Sequence, residues 1–193
     1  MENTQIDLRI ALVVASVRPE RFGATVAEWA ADRIGAHDGV DLQIVDLIDL
    51  DLPPSLDGSG DTQVLRRAVE RADAFVVVTP EYNHGYPGQL KTAIDTLVAE
   101  WSAKPVAFVS YGGGAGGARS VEQLRQVFAE LDAVTVREAV TLVRVWDLFD
   151  DDGRPRGVPG PERAMRAMLD RLLWWGRTLR AARADAPTYA QAV

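Results

Sequence analysis

The chain has 193 residues, 47% of them apolar, 25% charged and 7% aromatic, with a mean hydropathy of -0.07, as in ordinary globular proteins of one domain. It contains no cysteine, which excludes a disulfide scaffold, a thiolate metal centre and a cysteine nucleophile. Its 21 basic residues face 28 acidic ones for a net charge of -7, so neither nucleic acid nor an anionic membrane surface is expected as a partner.

Met1 to Leu8 is polar and acidic and lacks the basic and apolar regions of a secretory leader, and no apolar run approaches the roughly 20 residues of a membrane span, so a cytoplasmic protein is expected. Arg9 to Ala15 is a β-branched and apolar run that stops at Ser16, and Ala24 to Ile34 then places apolar residues at helical spacing. Leu42 to Val45 predicts a second short strand, after which Pro53-Pro54 and Gly58-Ser59-Gly60 interrupt regular structure. Thr62 to Arg71 reads as a helix. Ala74 to Thr79 ends at Pro80 and has the continuous apolar character of a parallel strand buried on both faces.

From Gly88 to Glu100, Leu90, Ala93, Ile94 and Leu97 form a stripe at i, i+3, i+4 and i+7 that predicts a third helix. Val106 to Ser110 predicts a strand, Gly112 to Gly117 a glycine-rich loop, and Val121 to Leu131 a fourth helix. Val134 to Val145 reads as a last strand interrupted near Arg137-Glu138, and Glu162 to Ala184 as a long terminal helix. Strands and helices alternating in this way predict an α/β, flavodoxin-like three-layer sandwich with a five-stranded parallel sheet in the order 2-1-3-4-5. Ligands of such sheets bind outside the carboxyl ends of the strands where the order reverses, here the loops after the first, third and fourth strands.

The first of these loops, Ser16 to Thr25, runs from a buried strand into a helix and carries Arg18 and Arg21. Helix N-terminal amides, two hydroxyls and guanidinium groups suit one phosphate, whereas a capped helix with solvated arginines is the plainer alternative. Neither a G-x-x-x-x-G-K-[ST] nor a G-x-G-x-x-G motif occurs there, which favours a monophosphate. The second loop, Thr79-Pro80-Glu81-Tyr82-Asn83-His84-Gly85-Tyr86-Pro87-Gly88, offers an aromatic face and backbone amides to a flat heteroaromatic ring. His84, with only His37 elsewhere, makes no metal set. In the third loop, Ser110 to Gly117, Gly112, Gly114 and Gly117 satisfy G-x-G-x-x-G, but after a late strand, so close backbone contact with a ring is the preferred reading.

These segments resemble the NAD(P)H-dependent FMN reductase family, which includes quinone, chromate and azo-dye reductases. The resemblance lies in Ser16-x-Arg18-x-x-Arg21-x-Gly23, in Pro80-Glu81-Tyr82-Asn83 with Pro87-Gly88-x-Leu90-Lys91, in Ser110-Tyr111-Gly112-Gly113 with Gly116-Gly117-x-Arg119 and Gln123-Leu124-Arg125, and in Phe149-Asp150-x-x-Gly153. Ala15 stands where glycine is common, and Thr92 where asparagine is frequent. The resemblance implies that Ser16, Arg18, Arg21, Gly23, Ala24 and Thr25 hold the phosphate of FMN. It implies that Pro80, Glu81, Tyr82, Asn83, Ser110, Tyr111, Gly112 and Gly113 hold the isoalloxazine.

With NAD(P)H as reductant, hydride would pass from the nicotinamide to flavin N5 with no catalytic side chain, and the small-molecule acceptor would be free FMN, a quinone or another oxidant in a ping-pong cycle. A homodimer or homotetramer is implied, with Trp101, Trp174 and Trp175 as apolar surfaces needing cover, by a partner or by the core. A monooxygenase receiving reduced flavin is a further partner of such enzymes. Asp150-Asp151-Asp152-Gly153 lacks the spaced ligands of a calcium loop and reads as a hairpin turn. The competing functions are a flavin-binding electron carrier without nicotinamide turnover and a dinucleotide-dependent dehydrogenase using the glycine loop.

Overall fold

The computed structural model describes residues 7–185; the first six residues of the Met1 to Leu8 segment, on which the reading of the N-terminus rests, lie outside them. Five parallel strands, β1 (Leu8–Val14), β2 (Val40–Asp46), β3 (Ala74–Pro80), β4 (Pro105–Gly112) and β5 (Val134–Val143), form one sheet in the order β2-β1-β3-β4-β5. Every residue of β3 is buried, as its unbroken apolar run requires of a central strand covered on both faces.

The helices α1 (Gly23–Gly35) and α5 (Pro159–Asp185) cover one face, packing Val26, Ala30, Met168 and Leu172 onto Ile10, Leu12, Val76 and Val109. On the opposite face α2 (Thr62–Arg71), α3 (Gly88–Asp95) and α4 (Ala118–Glu130) pack Leu65, Leu90, Ile94 and Phe128 onto Val13, Phe75, Val77 and Phe108. Strand parity sends neighbouring residues to opposite layers. Lys104 is buried at the foot of the sheet, where its ammonium donates to Val69 O at 2.7 Å and Glu70 O at 3.2 Å and so closes the C-terminal turn of α2.

One expectation needs adjustment and one open alternative is settled. The third helix stops at Asp95 and does not reach Glu100: Thr96 Oγ1 donates back to Thr92 O at 2.7 Å, Val98 N donates to Glu100 Oε2 at 3.0 Å, and a separate 3-10 turn follows at Ala99–Trp101. The apolar stripe survives this break because Leu97 is still buried. Trp101 is core and not partner surface, since it lies between Phe75 and Phe128 with ring centroids at 4.8 and 5.6 Å and donates Nε1–H to Ile94 O at 3.1 Å. Trp174 is 54% exposed and Trp175 is half-buried.

The interruption expected near Arg137-Glu138 is a bulge: Val106 pairs with Thr135, but Phe108 pairs with Ala139. Arg125 spans it, donating from Nη1 to Val136 O at 2.7 Å and from Nη2 to Arg137 O at 3.0 Å. Asp150 to Arg154 is the hairpin turn read from the sequence, with Asp150 Oδ1 accepting from the backbone N–H groups of Asp152 and Arg154 and Phe149 paired with Pro155. Among the described residues, no group of three or more His, Asp or Glu is placed to hold a metal ion, and no helix is long and apolar enough to cross a membrane.

Candidate functional site

The carboxyl ends of β1, β3 and β4 meet at the point where strand order reverses. There an open cleft of about 350 Å³ is lined by Ser16, Arg18, Pro19, Glu20, Arg21, Phe22, Pro80, Tyr82 and Tyr111. Two hydroxyls tie the first loop to the second, Ser16 Oγ and Tyr82 Oη lying 2.6 Å apart. The register Thr79↔Ser110 and Pro80↔Tyr111 brings the third loop alongside.

One end of the cleft is built for negative charge. The Arg21 side chain is only 11% exposed and pairs through Nη2 with Asp46 at the end of β2, while its Nε and Nη1 are buried with no hydrogen-bond partner. A guanidinium has five N–H donors and no acceptor, so those two nitrogens call for an oxygen-bearing ligand. Asp46 is held above the usual carboxylate range by burial, opposed by the amide of Ile48 and the charge of Arg21. Beside this pair α1 begins at Gly23 after Phe22, with no side-chain cap and no acidic residue in its first turn. Thr25 is therefore inside the helix and does not cap it, and the first-turn amides retain their donor capacity.

The Tyr111 ring points toward this end of the cleft. Its burial raises the phenol pKa far above the ordinary range, and its oxygen lies so close to Gly23 that a Cβ there would be 2.5 Å away. A side chain at that crossing would have to displace the phenol. Arg18 is exposed and sits over the Tyr82 ring, 5.3 Å from its centroid, a cation-π arrangement.

The second loop is a two-residue turn. Asn83 and His84 have φ of 51° and 70°, and Tyr82 and Gly85 exchange backbone hydrogen bonds of 2.8 and 3.0 Å across them, the geometry of a tight hairpin turn. Contacts from α4 hold it from behind. Ser120 Oγ donates to Gly85 O at 2.7 Å and Pro80 O at 3.0 Å, and Gln123 Nε2 donates to His84 O at 2.8 Å. The Glu81 carboxylate accepts from Arg119 Nη2 at 2.5 Å and from the Arg119 amide at 3.2 Å.

In the third loop Gly117 has φ of 86°, and a Cβ there would meet Ser110 Cβ at 2.8 Å and Tyr111 N at 2.9 Å, so this glycine serves the strand-to-helix crossing. Gly112 and Gly113 leave open approach, the nearest atoms to a Cβ being Gly117 N at 3.6 Å and the Trp146 ring at 3.7 Å.

Ser16, Arg18, Arg21, Pro80, Tyr82 and Tyr111 thus line one cleft, with Gly23, Ala24 and Thr25 in the adjoining helix turn and Asn83, Gly112 and Gly113 on the adjoining loops. Glu81 is engaged by Arg119, and Ser110 is fully buried. Asp46 and Trp146 were not singled out by sequence. Asp46 ends β2 and is one of several acidic residues in and after that strand, and only the fold shows that it pairs with Arg21 across 25 positions.

The model of a family described as NADPH-dependent FMN reductase matches residues 8–147. The chain belongs to the NADPH-dependent FMN reductase family. It is 36% identical over 153 residues to an NAD(P)H-dependent FMN reductase of Schizosaccharomyces pombe, covering 72% of this chain and 76% of that one. It is 33% identical over 184 residues to a quinone reductase of Pseudomonas putida, covering 89% and 96%. In fold it is similar to the flavoenzyme NAD(P)H:(acceptor) oxidoreductase FerB of Paracoccus denitrificans, with a TM-score of 0.74, 20% identity and coverage of 89% and 98%. As a member of the NADPH-dependent FMN reductase family this chain is an oxidoreductase of the NAD(P)H-dependent flavin- and quinone-reducing kind.

Proposed function

We propose that this chain, as a single domain, binds FMN across its three loops, takes reducing equivalents from NAD(P)H and delivers them to free flavin, a quinone or another small oxidant. The observation that carries the reading is the pair of unpartnered, buried nitrogens of Arg21 beside the uncapped start of α1. Together they supply charge, directed donors and a favourable helix dipole for a phosphate. Ser16, Arg18, Arg21 and the amides of Gly23, Ala24 and Thr25 would hold that group. Pro80, Tyr82, Asn83, Gly112 and Gly113 would hold the ring, with Glu81 and Ser110 supporting from behind and Tyr111 closing the cleft next to Gly23.

Bound FMN would supply the redox chemistry, accepting hydride from a nicotinamide and passing electrons to the acceptor. The chain's own work is then to orient the two reacting rings, exclude water and offer backbone donors to developing negative charge. No side chain is assigned a proton transfer. The same reading includes a homodimer or homotetramer, in which Trp174 would be covered; sedimentation velocity measures that mass, and a monomer at micromolar concentration would refute it.

A comparison of FMN with riboflavin tests the reading. FMN is expected to bind at least about a hundredfold more tightly, as the loss of several charge-assisted hydrogen bonds implies. Equal affinities would remove the phosphate from the first loop.

A further inference from the structure

Arg119 and His84 make a side-chain contact outside the lining of the cleft. Arg119 Nη1 lies 2.7 Å from His84 Nε2, while Nη2 of the same guanidinium lies 2.5 Å from Glu81 Oε1. Because a guanidinium donates and never accepts, His84 Nε2 must be the acceptor, which requires a neutral imidazole with its proton on Nδ1. One fork therefore grips both ends of the Glu81 to His84 segment. Between those ends stand Tyr82, which lines the cleft, and Asn83, whose left-handed backbone turns the chain.

We propose that Arg119 and His84 form a positioning latch for the second loop, closed when His84 is neutral and opened by its protonation. The proposal rests on the reading that this loop holds the FMN ring. A protonated His84 loses its lone pair at Nε2 and faces a cation. The charged groups at the contact are Arg119, from α4, and Glu81, from the end of β3; Glu81 stays paired with Arg119, so the guanidinium keeps one partner as it releases the other. Ser120 and Gln123 hold backbone carbonyls and are indifferent to pH in this range, so the turn loosens at His84 without detaching from α4. Arg119 and His84 act on the ring through Tyr82 and Asn83, and are positioning residues.

The test compares the natural chain with His84→Gln, whose amide oxygen can accept from Arg119 at any pH, and with Arg119→Gln, at pH 7.5 and 5.5. Two readouts are taken. The first needs no flavin: protection of the Gly85 amide, which donates to Tyr82 O at 3.0 Å, against hydrogen exchange corrected for its intrinsic rate. Protection is expected to fall about fivefold on acidification in the natural chain, the size of one exposed charge-assisted contact, to stay constant in His84→Gln, and to be low at both pH values in Arg119→Gln. The second is the dissociation constant for FMN from visible titration. Phosphate titration weakens binding in all three proteins, but the natural chain is expected to lose about fivefold more than His84→Gln.

Equal pH dependence of protection in the natural chain and His84→Gln overturns the latch, even if Arg119→Gln fails to fold. Protection that follows pH while FMN affinity does not would refute the placement of the ring on this loop, and the positioning role with it.

Discussion

Arg18 and Arg21 sit three residues apart in one loop and do different work. The exposed guanidinium of Arg18 lies over Tyr82, whereas Arg21 is buried, bound to Asp46 and left with two unpaired nitrogens. Truncating Arg18 removes a surface cation, and its effect belongs to ligand binding. Truncating Arg21 also strands the carboxylate of Asp46, and a partly buried charge without its partner is costly. Arg18→Ala is therefore expected to weaken FMN binding about tenfold with an unchanged melting temperature, and Arg21→Ala to lower both affinity and stability, the latter by about 2 kcal/mol. Calorimetric titration and thermal melts separate the two.

The residue types were legible in the sequence; their pairings were not. Strand β4 is buried on both faces, so its composition does not reveal which layer receives Tyr111 and which receives Ser110. Only the register Pro80↔Tyr111 and the position of Gly23 place the phenol against α1, at the end of the cleft where the arginines lie. Glu81 is similar. Its place in Pro80-Glu81-Tyr82-Asn83 suggested ligand contact, but its carboxylate is engaged by Arg119, a partner 38 positions away.

At the scale of elements, buried strands and amphipathic helices were read from period and β-branching, and α2 ends where its pattern ends. The early stop of α3 was not legible, because the apolar stripe continues through Leu97 after the helical hydrogen bonds have ended. What closes α2 was equally hidden. Lys104, immediately before β4, supplies donors to carbonyls of a helix more than thirty residues earlier.

Burial, reinforced by the charge of Arg183 and opposed by Asp73 and Glu70, lowers the pKa of Lys104 to about 8 from 10.5. Its folded-state pKa is below its unfolded value, so between about pH 8 and 10.5 the unfolded chain binds more protons and stability rises with pH. That contribution is fully present above the unfolded pKa and is lost as pH falls through about 8. Relative to Lys104→Met, the natural chain should gain up to about 3 kcal/mol between pH 7.5 and 10.5. Urea unfolding at the two pH values measures it, and parallel curves for both proteins would mean that the Lys104 ammonium is not desolvated.

For the whole molecule, parallel strands with helices on both faces fix where loops can converge, and strand order fixes which loops those are. A strand order of 2-1-3-4-5 makes Ser16, Tyr82 and Tyr111 neighbours, although 66 positions separate the first two. Family membership states the chemistry of the chain, and under the proposed reading the residues of this cleft take part through charge and amides at one end and a preformed turn and open glycines at the other. An electron carrier and a reductase share that cleft. They differ in whether a nicotinamide reaches the ring.

Rapid mixing of the FMN-loaded protein with NADPH or NADH, followed in the visible flavin band and then by addition of a quinone, decides whether a nicotinamide reaches the ring. At least one nicotinamide is expected to bleach the band, and the quinone to restore it. A band that persists with both nicotinamides, or a protein that takes up no FMN at all, would refute the proposed function.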